Sequence, residues 1–311
     1  MAGDAKIDAV VCIPTFRRPD WLARTLKSLA EQAPGFGFAI VVVDNDARDP
    51  LGAKLARDFF SSHDIPNAVF VEENQGNCFA INRAFGEALD AFPEADCFLM
   101  IDDDEIALPG WLAEMVGLAR ETGADIVGGP VFRVFEGQAP QAIRQHQLFI
   151  SINGATREID QLHGSGNCLI RRHVFGRLGA PFFDLRFNYL GGGDMDFFTR
   201  CRKAGYRTYW CAGAQINEFV PAERISARFL MTRSIRTGSI NYLVDRKNGL
   251  SAVAAILKNA ISLGLSVGRS LAVLFRTGHL IPASHPFLVS VGRFFAAFGF
   301  LPAPYKASDK P

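Results

Sequence analysis

Four short apolar runs, each stopped by a polar cluster, constrain this 311-residue chain more than any other feature. They are residues 7–13 (IDAVVCI), 38–43 (FAIVVV), 68–71 (AVFV) and 97–101 (CFLMI). Each is of strand length, and none alternates cleanly between apolar and polar, so each predicts a strand covered on both faces. Segments of helical periodicity separate them: 21–29, with Asp20 as its expected N-cap, then 51–60, 77–92 and, after Pro109, 110–122. Strands alternating with helices predict an α/β fold with a mostly parallel central sheet and flanking helices. Right-handed crossovers set the strand C-termini along one edge, where such sheets bind ligands. Pro14–Arg18, Asp44–Asp46, Glu72–Asn77 and Asp102–Glu105 all fall there, which predicts one site.

Composition bounds what else the chain can be. With 49% hydrophobic and 21% charged residues it is no disordered or low-complexity sequence. A net charge of +1 argues against nucleic acid as a partner of the whole chain. That balance conceals an acidic body, net −8 over residues 1–222, and a basic tail, net +9 over 223–311. Six scattered cysteines lack metal spacing and read as reduced core thiols. Asp4, Lys6 and Asp8 precede only a short apolar run, so no signal peptide is expected and the location predicted is cytoplasmic.

The acidic clusters suggest the chemistry. Asp102-Asp103-Asp104-Glu105 leaves a buried strand as a row of hard oxygen ligands, suited to Mg²⁺ or Mn²⁺. Asp44 and Asp46 at the second strand end can accept from a base N–H or a ribose hydroxyl. Asn74-Gln75-Gly76-Asn77 leads into a helix whose N-terminus favours phosphate. Gly191-Gly192-Gly193 admits close backbone approach, and either Asp194 or Asp196 after it could take a proton from a sugar hydroxyl. A nucleotide-hydrolase reading needs a Gly-Lys phosphate loop, and no Lys here follows a Gly.

The ordered set Pro14-Thr15-Phe16-Arg17-Arg18, VVVDND, Asn74-x-Gly76, IDDDE with Pro109 and Trp111, and GGGDMDFFTR resembles family 2 inverting glycosyltransferases of the GT-A fold. The stretch Asn217–Arg224 is similar to the bacterial exopolysaccharide branch of that family, of the succinoglycan type. The resemblance spans about residues 7–245. It implies a nucleotide-sugar donor, a UDP-sugar, with divalent Mn²⁺ or Mg²⁺ and a single displacement by an acceptor hydroxyl. Position by position, it makes Asp44 the contact to the nucleotide base and Asp194 the catalytic base. Asp102 and Asp104 match the metal-and-donor acidic motif, with Asp104 nearest the metal and Asp102 and Asp103 as donor contacts. Pro14, Thr15 and Arg17 become donor contacts of the first loop, and Asn74 and Asn77 those of the strand-to-helix turn. Three positions depart from the family pattern. Gly193 stands where many relatives carry Glu, Asn217 where many carry His, and Ile81 where Arg precedes the residue matching Asn82, which shifts diphosphate contact to Arg83 or Arg17.

The tail adds a location. Residues 252–277 place Lys258, Ser262, Ser266, Arg269, Ser270, Arg276 and Thr277 on one narrow stripe, and residues 286–301 repeat the pattern with five Phe. No uncharged apolar stretch reaches the ~20 residues of a membrane span. The expectation is a catalytic domain over 1–222 and a basic, amphipathic, helical extension over 223–311. That extension would bind the inner face of the cytoplasmic membrane peripherally, or else pack on the catalytic domain or a second subunit. The acceptor implied is a polyprenyl-diphosphate-linked saccharide, in exopolysaccharide or cell-surface glycan synthesis. A catalytically idle relative that binds saccharide or scaffolds a synthase is the alternative, resting on Gly193 and Asn217.

Overall fold

The computed structural model describes residues 6–152 and 154–301; Asp4 and the last ten residues of the predicted extension lie outside the described residues. The chain forms two compact units. The first comprises Met1–Phe132, Ile152–Asn188 and Gly193–Glu218, and the second comprises Arg133–Ser151, Tyr189–Gly192 and Phe219–Pro311.

The first unit opens with the alternation read above: β1 (Ile7–Thr15), α1 (Pro19–Ala30), β2 (Gly37–Asp44), α2 (Leu51–Phe60), β3 (Asn67–Val71), α3 (Asn77–Ala91) and β4 (Cys97–Met100). It continues with β5 (Glu105–Ala107), α4 (Trp111–Thr122) and β6 (Ile126–Gly128), and β7 (Val131–Phe135) follows. After α5 (Gln141–Arg144) in the second unit come β8 (Arg157–Ile159), β9 (Cys168–Arg171), α6 (Arg172–Leu178), α7 (Gly193–Lys203), β10 (Thr208–Trp210) and β11 (Ile216–Val220).

Eight strands form the central sheet in the order β3-β2-β1-β4-β9-β6-β10-β8. The left half is parallel, with Val11 paired to Ile40 and Leu99. β9 is antiparallel to both β4 and β6, a reversal that the sequence pattern did not predict. The middle of β1 and β2 is fully buried, as continuous β-branched runs require, because helices cover both faces. Each such side chain removed from water contributes roughly 1.5–3 kcal/mol. Asp20 is not the cap of α1. Arg18 holds the cap position and Pro19 opens the helix, where its fixed φ and missing N–H cost nothing. All six cysteines are free and buried.

The second unit is mainly three long helices, α8 (Ala227–Lys247), α9 (Ala252–Thr277) and α10 (Leu280–Ala297). α8 and α10 touch backbone to backbone. A Cβ on Gly238 would stand 1.9 Å from the Val289 carbonyl oxygen, and one on Gly292 would stand 1.8 Å from that of Ile235. The polar stripe predicted on α9 exists, but its serines turn inward. Ser266 is buried, Ser262 meets Ser290 at 2.9 Å, and the buried Arg293 reaches Asn259 at 2.8 Å and Asp245 at 2.7 Å. The apolar arc faces out instead: Ile256, Leu257, Ile261 and Leu265 are each more than half exposed.

Candidate active site

The C-terminal ends of β1, β2, β3 and β4 bring the predicted acidic and polar clusters to one edge of the first unit. The turn after β4 is tied down from several sides. Thr15 Oγ1 donates to Asp103 at 2.7 Å, and the Phe16 N–H donates to the same oxygen at 3.4 Å. Thr25 Oγ1 on α1 lies 2.9 Å from the Asp103 carbonyl and 2.7 Å from that of Glu105. The Glu105 carboxylate is buried and accepts from the Asp102 N–H at 2.8 Å. Gly166 leaves it room, since a Cβ there would lie 2.5 Å from its oxygen. Glu105 therefore shapes the turn that presents the three aspartates.

Packing those carboxylates together raises their affinity for protons. Burial, then the charges of Asp104, Asp103 and Asp194, pushes Asp102 up to about 7. Burial also pushes Asp103 up to about 6, against the pull of Arg18 and the Thr15 hydroxyl. The cluster thus carries more negative charge than its surroundings neutralise, an arrangement that favours a bound cation. Among the described residues, no three His, Cys, Asp or Glu side chains form a ready cage. A hard ion shared with substrate phosphates needs only one or two protein carboxylates, so the donor set fits Mg²⁺ or Mn²⁺.

Asp194 stands in the first turn of α7, half-buried, its Oδ1 accepting the Met195 N–H at 2.8 Å. A Cβ on Gly164, two residues before the Gly166 that makes room for Glu105, would lie 3.9 Å from Asp194 Oδ2. Asp196 is fully buried and accepts from Arg200 Nε at 2.9 Å. Gly193 packs under the site. A Cβ there would lie 2.9 Å from Cys78 Sγ and 3.2 Å from Phe183, so this chain has filled the space that a longer side chain would need. Glu218 pairs directly with Glu105 across β5 and β11, and Asn217 pairs with Ile106. By strand alternation, Glu218 and not Asn217 shares the face of Glu105.

Asp44 is buried, and its oxygens accept the N–H groups of Asp46 at 3.0 Å and Ala53 at 2.9 Å, so its carboxylate holds the entry to α2. Beside it opens a pocket of about 310 Å³ lined by Arg17, Pro19, Asp46, Asp49, Leu51 and Gly52. Arg17, at φ +56°, bonds Asp46 at 2.5 Å across that pocket. Asn45, unremarked in the sequence, ties β2 to the next turn by donating to the Asn74 carbonyl at 2.8 Å and accepting the Gly76 N–H at 2.6 Å. Asn188 accepts the Cys78 N–H at 3.1 Å, which uses one N-terminal donor of α3. Asn77 is exposed beside it, and Arg83 lies between Glu72 at 3.7 Å and Glu87 at 3.1 Å.

Residues 10–179 match the model of glycosyl transferase family 2. The chain belongs to that family, and its first unit has the GT-A fold. It is 30% identical over 258 residues to the succinoglycan biosynthesis protein ExoM of Rhizobium meliloti (strain 1021), covering 78% of this chain and 77% of the relative. Among solved structures, it resembles the mannosyltransferase PcManGT from Pyrobaculum calidifontis in complex with GDP-Man and Mn²⁺. The TM-score is 0.60 at 16% identity, covering 94% of this chain and 90% of that one. It also resembles GalNAc-T7 with UDP, GalNAc and Mn²⁺, with a TM-score of 0.54 at 14% identity, covering 76% of this chain but only 48% of that one.

Proposed function

We propose that this glycosyltransferase moves a sugar from a nucleotide-diphosphate donor, a UDP-sugar, to a hydroxyl of a polyprenyl-diphosphate-linked saccharide, with inversion, in exopolysaccharide synthesis. What supports this reading is the acidic turn after β4, with Asp194 beside Gly164 and Glu105 beside Gly166 in the same short segment. Asp194 accepts the acceptor's hydroxyl proton while that oxygen forms its bond to the anomeric carbon. The bond from that carbon to the diphosphate breaks on the opposite face, and nucleoside diphosphate leaves. Asp102 and Asp104 would hold the divalent ion, with Asp103 fixed behind them by Thr15. Such an ion, when bound, supplies positive charge against the leaving diphosphate. Asp46 and Arg17 line the pocket for the nucleotide, with Asp44 shaping its wall. Pro14 and Thr15, at the end of β1, would meet the donor from the first loop, and Asn74, Asn77 and Arg83 would flank its phosphates.

The helical extension supports attachment to the inner face of the cytoplasmic membrane. α9 turns its apolar side outward and Ser262, Ser266 and Asn259 inward, while Lys258, Arg269 and Arg276 stay exposed. No Asp or Glu occurs between residues 246 and 308, so the exposed Arg269 and Arg276 suit anionic headgroups, while Lys258 pairs with Asp245 at 2.7 Å. By length and composition alone α9 could also cross a membrane, with mean hydropathy 1.2. Its three basic residues favour an interfacial position.

The direct test is release of nucleoside diphosphate from a panel of nucleotide sugars, with and without Mn²⁺. Release from one donor that depends on Mn²⁺ supports the reading. No release or binding from any donor favours the idle-relative alternative.

A further inference from the structure

Arg18 is absent from the predicted donor contacts, yet its guanidinium sits on the acidic edge itself. Its Nη1 donates to Asp104 at 2.7 Å and to Asp103 at 3.3 Å. Asp103 has other donors in Thr15 and Phe16, whereas Arg18 is the partner that the structure gives the Asp104 carboxylate. The backbone of Arg18 is fixed, because its carbonyl accepts the Leu22 N–H at 3.0 Å and Pro19 follows in α1. Its side chain is 39% exposed and can turn about that anchored backbone.

We propose that Arg18 is a built-in counter-ion. It holds Asp104 when no divalent cation is bound, yields that oxygen to the cation, and passes its guanidinium to the donor diphosphate. The inference rests on the reading of this edge as a metal-assisted nucleotide-diphosphate site. Two cations cannot share one carboxylate oxygen at contact distance without strong repulsion. The coupling is reciprocal: whatever the ion costs the Arg18 pair, the pair costs the ion. A guanidinium released from a carboxylate has an equally good partner in a phosphate, which its planar fork also fits. Nucleoside diphosphate therefore relieves the competition by giving Arg18 somewhere to go. The ion alone binds weakly, and the ion with diphosphate binds well.

The test measures Mn²⁺ binding to the full chain by electron paramagnetic resonance of the free ion, without and with UDP, and UDP affinity by calorimetry. Arg18→Gln, checked for folding by its thermal transition, should bind Mn²⁺ alone about tenfold more tightly, a typical coupling between two ligands of one site. It should bind UDP more weakly and lose most of the enhancement that UDP gives to Mn²⁺. Arg18→Lys keeps the charge without the fork, so its Mn²⁺ affinity should stay near wild type while UDP binding falls. A folded Arg18→Gln with unchanged or weaker Mn²⁺ affinity overturns the proposal. If that variant does not fold, wild-type UDP affinity in Arg18→Lys overturns it. A wild-type chain that binds neither Mn²⁺ nor UDP overturns the donor-site reading, and this inference with it.

Discussion

Asp196 accepts from Arg200 Nε at 2.9 Å, one turn further along α7, and is fully buried. That pairing gives Asp196 a place inside the helix, whereas Asp194, two positions earlier and half-buried, is the acid assigned to the acceptor hydroxyl. Asp194→Asn should therefore lower the transfer rate by on the order of 10²–10⁴ with little change in donor affinity or thermal midpoint. Asp196→Asn leaves Arg200 without its anionic partner and should cost stability, up to about 3 kcal/mol. Steady-state kinetics and thermal melts of both variants check this. A wild-type rate in Asp194→Asn would move the base elsewhere.

The three aspartates after β4 should separate from Glu105 in the same way. Asp104→Ala should abolish the Mn²⁺ dependence of donor binding in a folded protein, because it removes a carboxylate from a hard-cation site. Glu105→Ala should instead lower the melting temperature, since it removes the acceptor of the Asp102 N–H and leaves a void beside Gly166. Calorimetric titration of donor with and without Mn²⁺, beside melting curves, distinguishes the two. Unchanged Mn²⁺ dependence in Asp104→Ala removes it from the metal site.

Much of this was legible from short-range pattern. The runs at 7–13 and 38–43 became buried β1 and β2, and 51–60 became α2. What escaped depends on partners distant in sequence. β9 reverses direction because Cys97 pairs with Arg171, and nothing local to either strand encodes that register. Asp20 looked like a cap, but Pro19 beside it suits the first helical position better and displaces the cap to Arg18. Asp44 was legible as a strand-end carboxylate, but not the N–H groups of Asp46 and Ala53 that orient it. The inward stripe of α9 needed α10, whose Ser290 and Arg293 meet it.

In the second unit, His146 and His285 meet edge to face, with ring centroids 4.9 Å apart, and Ser234 lies 2.8 Å from His285 Nδ1. Burial holds both down to about 4, helped at His146 by the charge of His285. An unfolded His titrates near 6.5. Between these values the unfolded chain binds more protons, so stability from this pair is complete above about 6.5 and falls as pH drops toward 4. A His146→Gln, His285→Gln double variant should lose less of its melting temperature than wild type between pH 7 and pH 5. An equal loss in both proteins contradicts the prediction.

Membrane attachment is best tested without deleting helices, because α10 packs on α8 through Gly238 and Gly292. Replacing the exposed Ile256, Leu257, Ile261 and Leu265 by Ser should weaken co-sedimentation with anionic vesicles while leaving donor turnover intact. High salt should weaken wild-type attachment only in part, since it screens charge and not apolar burial. Equal, negligible sedimentation of both proteins would mean that this face meets protein.

One direct displacement assisted by Asp194 would invert the anomeric carbon. Proton NMR of the glycosidic product, formed by wild-type protein from a nucleotide sugar of known anomeric configuration, reads that step directly. The predicted result is a linkage of the opposite configuration with one nucleoside diphosphate released per bond formed. A product that retains the donor's configuration would contradict it.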